Sequence, residues 1–239
     1  MTDVVIRGLL AVSMVTAIPS AAAAVVHEAE TDGATINNSL ATAQSIPASA
    51  FTTPIPGTVF NPPGYATATV QGSGGFNDVD FFRFVSFGRG QVYLDMDNAV
   101  PAFDPMLALF DSAGTLLAFG DDSEPDNGSV NTIDSFLGVF LLPGAGEYFI
   151  AVSENPNFPT VALTGSLTQL SRPDGLSGGF AVSGVASGIS TFDFDGVQPG
   201  NGAYTLNISS QTAVPEPGSF ALLACGLTAV ATLVRRRTS

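Results

Sequence analysis

The sequence predicts an all-β fold, an antiparallel β-sandwich of jelly-roll type, and three observations predict it. Apolar residues recur with a period of two through the middle of the chain. Gly (26 residues) and Pro (16) punctuate it at short intervals, and no stretch there sustains helical spacing for three turns, Ile36 to Ile46 coming nearest. Many short strands with turn signals between them are the mark of a sandwich or jelly roll.

The expected strands follow in order. Asp80 to Phe87 is the first clear run, and next Val92, Leu94 and Met96 alternate with Tyr93, Asp95 and Asp97, so that one set faces a core. Met106 to Phe110 and Thr115 to Phe119 flank the turn Ser112-Ala113-Gly114. Phe136 to Leu142 runs into Pro143-Gly144-Ala145-Gly146, after which Tyr148, Ile150 and Val152 alternate with Phe149, Ala151 and Ser153. Val161 to Leu167, Gly179 to Val185 and Ile189 to Phe194 are further candidates. Pro199-Gly200-Asn201-Gly202 then leads into Tyr204, Leu206 and Ile208, which alternate with Thr205, Asn207 and Ser209. Gly72-Ser73-Gly74-Gly75 has no following Lys or helix and reads as a loop, not a phosphate cradle.

Both ends read as targeting segments. Residues 1–24 carry a single Arg7, an apolar run from Gly8 to Ile18 and an Ala-rich exit, Ala21 to Ala24, with a small-residue cleavage pattern ending at Ala23 or Ala24, which together make a secretory signal peptide. At the other end Ser219 to Val234 is uncharged and is followed at once by Arg235, Arg236 and Arg237, a short transmembrane helix with its arginines on the cytoplasmic side. The chain thus divides into a leader (1–24), a β-sandwich domain (25–212) and a tail (213–239).

Charge narrows the chemistry. All seven basic residues are Arg, and the formal charge is −14. Residues 25–212 hold 19 acids against Arg83, Arg89 and Arg172, a net of −16. Such a field repels nucleic acid and anionic lipid and gathers divalent cations or basic partners. Without Lys there is no Schiff-base or lysine general base, and with Cys225 as the lone cysteine there is no internal disulfide.

Immediately before the apolar tail stand Val214, Pro215, Glu216, Pro217, Gly218 and Ser219. Pro-Glu-Pro, an apolar helix and a terminal Arg cluster, in that order, resemble the PEP-CTERM sorting signal of exported bacterial proteins. The resemblance implies recognition by a membrane-embedded exosortase, cleavage near Pro-Glu-Pro, transient anchoring in the inner membrane and delivery to the cell surface, in bacteria that make extracellular polysaccharide. A permanent single-pass anchor is the alternative reading of the same residues.

A second resemblance covers most of residues 28–210. Asp78-Val79-Asp80-Phe81-Phe82-Arg83-Phe84, Phe103-Asp104-Pro105 with Met106 to Asp111, Gly114 with Leu116, Leu117, Asp121 and Asp122, Gly144 to Val152, and Tyr204-Thr205-Leu206 are similar to the bacterial pre-peptidase C-terminal domain, a β-sandwich accessory module. Glu28-Ala29-Glu30, Asn38-Ser39 and Ala41 to Gln44 look like that family's acidic leading segment. The chain departs from the pattern in the stretch Asp32 to Asn37 and in about forty residues, Pro156 to Pro199, placed before the closing strand. The resemblance implies a calcium site in which Glu28, Glu30 and Asn38 meet Asp78 and Asp80. Alternation independently puts Asp78 and Asp80 on one face.

The loop Asp121 to Gly128 also crowds four carboxylates into six residues, but it is not an EF-hand, because its Gly falls one place late and no Glu closes it. The acids also have a simpler role, in keeping an exported protein soluble. Catalysis finds little support. The sole histidine, His27, lies beside the cleavage site, and neighbouring Asp121 and Asp122 on a strand point oppositely, unlike a glycosidase pair. Phe81, Phe82, Phe84 and Phe87 read as core more readily than as a sugar platform. The expectation is an exported, non-catalytic surface or matrix protein associated with exopolysaccharide. The alternatives are a calcium-stabilised module that binds a glycan or protein and, behind it, an orphan secreted hydrolase, for which Asp121 and Asp122 are the residues to test.

Overall fold

A computed structural model describes residues 25–29, 37–52, 64–74, 78–97, 99, 103–125, 129, 132–160, 164–172, 174–184, 191–193 and 202–212. The leader, Glu30 and the tail, with Val214 to Ser219 and Arg235 to Arg237, lie outside these residues. Among the described residues no helix is long and apolar enough to cross a membrane.

Fourteen strands form in chain order among the described residues. The first five are β1 (Val26–His27), β2 (Gln44–Ser45), β3 (Ala66–Gly74), β4 (Val79–Ser86) and β5 (Gln91–Asp97). They are followed by β6 (Pro105–Asp111), β7 (Leu116–Gly120), β8 (Phe136–Leu141), β9 (Gly146–Glu154) and β10 (Phe158–Thr160). The last four are β11 (Leu167–Ser171), β12 (Ser177–Val182), β13 (Thr191–Asp193) and β14 (Gly202–Ser210). One sheet has the order β1-β3-β14-β5-β8, the other β11-β12-β7-β6-β9-β4-β2, and β10 pairs with β13 alone. The all-β sandwich read from the alternation is what the chain forms.

Period-two burial builds the core between the sheets. Val70, Leu94, Met96, Leu206 and Ile208 from the first sheet meet Phe82, Phe84, Leu107, Leu109 and Ile150 from the second. Burying each such side chain contributes about 1.5–3 kcal/mol. The alternation is only half the story, because outward-facing residues are buried too. Phe81, Phe110 and Phe149 cluster on the far face of the second sheet. Tyr93 stacks on Phe136 at 5.5 Å on the far face of the first, where Asp95, Asp97 and Asn207 are also buried.

Four expectations change. Ile36 to Ile46 holds no α-helix among its described residues, only the 3₁₀ turn Leu40–Thr42 followed by β2. Gly72, Ser73 and Gly74 belong to β3 rather than to a loop, and rings pack where Gly72 and Gly74 lack side chains. Of the described residues of the candidate Val161 to Leu167, which are 164–167, only Leu167 is in a strand; β10 precedes it and β11 begins where it ends. Phe87 is half exposed rather than core, while Phe81, Phe82 and Phe84 are buried.

The long insertion before the closing strand is not an appendage. Its hairpin, β11 with β12, adds to the edge of the second sheet through β12 and β7, with Phe180 opposite Phe119. Arg172 locks it in place. The guanidinium is buried, donates from Nη1 to the Glu124 carbonyl at 2.5 Å and from Nη2 to Asp174 Oδ2 at 2.8 Å, and lies 4.8 Å from the centre of the Phe136 ring.

The leading segment is a strap across the opposite side. β1 adds in parallel to β3 of the first sheet and β2 adds in parallel to β4 of the second. The Gln44 amide joins the two, accepting from Ala29 N–H and donating to His27 C=O, both at 2.8 Å.

A candidate cation site at the acidic end of the sandwich

Strand polarity collects the carboxylates. β4 begins where β9 ends (Val79 opposite Ser153), Pro105 at the start of β6 faces Glu154, and Leu107 faces Gly120 at the end of β7. Asp78 and Asp80, Glu154, Asp104, and Asp121 with Asp122 therefore line one end of the second sheet. The Tyr204 hydroxyl, near the start of β14, reaches Asp80 across the sandwich, so the same end of the first sheet lies against it. That end brings in Glu28 after β1 and Asp97 at the close of β5.

At the strap, the structure brings together most of the residues expected from sequence. Asn38 Nδ2 donates to Asp78 Oδ1 at 3.1 Å and Asn37 Nδ2 to Glu28 Oε1 at 3.3 Å. The Ser73 N–H donates to Glu28 Oε2 at 2.8 Å. Tyr204 donates to Asp80 Oδ2 at 2.7 Å. Asp78 and Asp80 do share a face, the one turned toward the other sheet.

Asp80 is 1% exposed, and its Oδ1 receives no hydrogen bond; the buried Oδ1 of Asn38 receives none either. Burial above all, then a hydrogen bond with Glu28 and the Glu28 and Asp78 charges, push the Asp80 carboxyl well above its ordinary range, against the opposing pull of the Tyr204 hydroxyl. The Tyr204 phenol is raised as well, by burial first and by the Asp80 and Glu28 charges second.

Gly72 makes this packing possible. A Cβ there would stand 2.5 Å from the Tyr204 ring and 2.8 Å from Glu28 Oε2. Two neighbours, Gly74 and Phe103, repeat the device, since a Cβ on Gly74 would meet the Phe103 ring at 2.3 Å and Phe103 stacks on Tyr204 at 5.7 Å. The sequence reading of this site missed Asn37 and Tyr204. Tyr204 was legible only as an inward-facing strand residue, and its partner is 124 positions away.

A second group, Asp104, Asp121 and Asp122, brings one oxygen from each residue within 4.8 Å of the others. Asp104 precedes β6 and Asp121 follows β7, at similar distances from the turn at Ala113, which is the signal that links them in the sequence. Asp122 sits at φ +31°, a left-handed conformation that Asp tolerates better than most residues. Asp104 is pushed up to about 6 by partial burial and then by Asp122 and Asp121; Asp121 is pushed up to about 6 by burial and then by Asp122. Asn155 Nδ2 lies 3.4 Å from Asp104 Oδ2. The loop expected to carry four carboxylates contributes Asp121 and Asp122 here, while the Glu124 carbonyl accepts from Arg172 and Asp126 lies outside the described residues. His27 is exposed on β1.

No protein-family model matches the chain, and no curated protein matches it. Among solved structures it is similar to PliG of Aeromonas hydrophila, described as a periplasmic lysozyme inhibitor of g-type lysozyme. The identity is 11%, the match covers 70% of this chain and 96% of that one, and the TM-score is 0.32. A likeness at that level carries no argument about function.

Proposed function

We propose that this chain is an exported, non-catalytic cell-surface or matrix protein, associated with exopolysaccharide, processed at its tail by an exosortase-type enzyme, with a sandwich whose strap is held by calcium. The observation that carries the calcium reading is Asp80: a carboxyl 1% exposed and set directly against that of Glu28, an approach that two anions hold only with a proton or a cation between them. Hard oxygen donors from Glu28, Asn38, Asp78 and Asp80 suit Ca²⁺, and a cation there reverses the electrostatics that now penalise two adjoining carboxylates. Glu30, two residues beyond Glu28, completes the set implied by the family resemblance. Binding would stabilise the strap at both sheet edges, which is a structural role and involves no bond-breaking.

The export half of the reading rests on the sequence order Pro215-Glu216-Pro217, uncharged Ser219 to Val234 and Arg235 to Arg237. Two measurements test the two halves separately. Calorimetric titration of the detergent-solubilised full chain with Ca²⁺ gives heat and a raised melting temperature, both abolished in Asp80→Asn; no heat and no shift end the calcium reading. Fractionation of cells with and without exosortase shows a mass and location that depend on the enzyme; identical mass and location in both refute sorting. A glycan array with and without chelator tests the alternative, a calcium-stabilised glycan-binding module.

A further inference from the structure

We infer that the β11 edge is a self-association surface, at which a second copy of this chain pairs antiparallel with the first and continues the sheet across both molecules. The edges of a sheet expose unpaired N–H and C=O groups, and proteins guard them with charge, Pro or covering segments. In this fold the strap guards two edges, with β1 lying on β3 and β2 on β4. β8 is guarded too, since a Cβ on Gly178 of β12 would stand 2.3 Å from the Gly138 carbonyl of β8. Among the described residues no strand pairs with the outer edge of β11. Its sequence, Leu167-Thr168-Gln169-Leu170-Ser171, holds neither charge nor Pro, and all but Leu170 are exposed.

The backbone direction is set by β12. Ser183 N–H donates to Ser166 C=O at 3.0 Å, so Ser166 and Thr168 turn their backbone groups inward and Leu167 and Gln169 turn theirs outward. A two-fold axis through Thr168 then places the outward groups of Leu167 in one copy against those of Gln169 in the other, and the reverse, which is the self-complementarity an isologous contact requires.

Two further observations choose a second copy as the occupant. Leu167 (46% exposed) and Phe180 (37%), with the Phe119 ring tilted against Phe180 at 5.7 Å, form an apolar strip beside that edge. The charges of this hairpin, Arg172 and Asp174, are paired with each other. On a domain of net charge −16 this is a neutral edge, where two like-charged copies can approach with least repulsion. Their remaining repulsion is screened by salt, so pairing strengthens as ionic strength rises. The inference is independent of the calcium reading.

Sedimentation of the detergent-solubilised full chain tests it, compared between about 0.05 M and about 1 M NaCl. A dimer whose fraction grows with both protein and salt concentration is expected. Gln169→Pro removes an outward donor and keeps the backbone bonds to β12, giving up only the Gln169 Nε2 bond to Ser177 Oγ at 2.9 Å, and Leu167→Lys adds a guarding charge; each weakens the dimer by at least about tenfold with unchanged circular dichroism. Thr168→Cys in a Cys225→Ser background forms an intermolecular disulfide on mild oxidation, because facing residues of a non-hydrogen-bonded pair lie about 4.5 Å apart at Cα. A monomer under all conditions, or a dimer indifferent to both edge variants and without the cross-link, overturns the inference. If either edge variant misfolds, the cross-link alone decides between the two outcomes.

Discussion

Tyr204 donates its hydroxyl to Asp80 at 2.7 Å, and this one bond ties β14, the central strand of one sheet, to β4 of the other at the end where the acids gather. The phenol is fully enclosed, so replacing it leaves Asp80 Oδ2 without its donor in a place water does not reach. Tyr204→Phe is expected to lower stability by about 1–3 kcal/mol in urea unfolding at neutral pH. The Tyr204 bond favours the ionised form of Asp80, so the deficit is smaller in acid, where Asp80 is protonated. An equal deficit at every pH would show that the bond does not serve the carboxylate.

The glycine at position 72 is a steric requirement. Gly72→Ala forces a methyl group against the Tyr204 ring and Glu28 and costs about 1–3 kcal/mol. Gly144→Ala, where a Cβ meets nothing within 4 Å, leaves the unfolding midpoint within about 0.5 kcal/mol of the parent protein. Equal effects from the two substitutions would remove the close approach from the account.

The acidic end makes stability depend on pH in a definite direction. Asp104 and Asp121 titrate near about 6 in the folded protein against 3.8 ordinarily. Between about pH 4 and about pH 6 the folded state holds protons that the unfolded state has released, so stability is greatest below that window, falls as pH rises through it, and levels off above. Thermal melts without added metal should drop by a few degrees across that range, an effect moderated by the partial exposure of both groups. Asp121→Asn flattens the slope. Melting temperatures that climb through the window would contradict the placement of these groups.

Arg172 holds the inserted hairpin by several contacts at once, so its loss is felt locally. Arg172→Ala removes the bonds to Glu124 and Asp174 and the cover over Phe136, at about 2 kcal/mol. Arg172→Lys recovers little, since an ammonium cannot span the same fork or lie flat on a ring. Hydrogen exchange should quicken in β11 and β12 while β4, β6 and β9 keep their protection; uniform quickening would make Arg172 a global core residue instead.

Tertiary context explains where the sequence reading ran short. Gly72-Ser73-Gly74 reads as a loop because glycine weakens strands, yet in β3 those glycines admit Tyr204, Glu28 and Phe103. Leu40–Thr42 coils for a single turn because Gln44–Ser45 must straighten at once to pair with β4. Asp104 carried no chemical signal of its own, and only the antiparallel pairing of β6 with β7 sets it beside Asp121 and Asp122.

What the sequence determined by itself was local: which alternate residues of β4, β5, β9 and β14 face the core between the sheets, turns at Gly114 and Pro143-Gly144, and the shared face of Asp78 and Asp80, because each follows from the geometry of neighbouring residues along one strand. Which strands become neighbours was decided only in three dimensions, where burial between two sheets selects one pairing among many. That choice put Asp80 under Tyr204, gathered the carboxylates at one end, and left the uncharged strand β11 as the last strand of its sheet among the described residues.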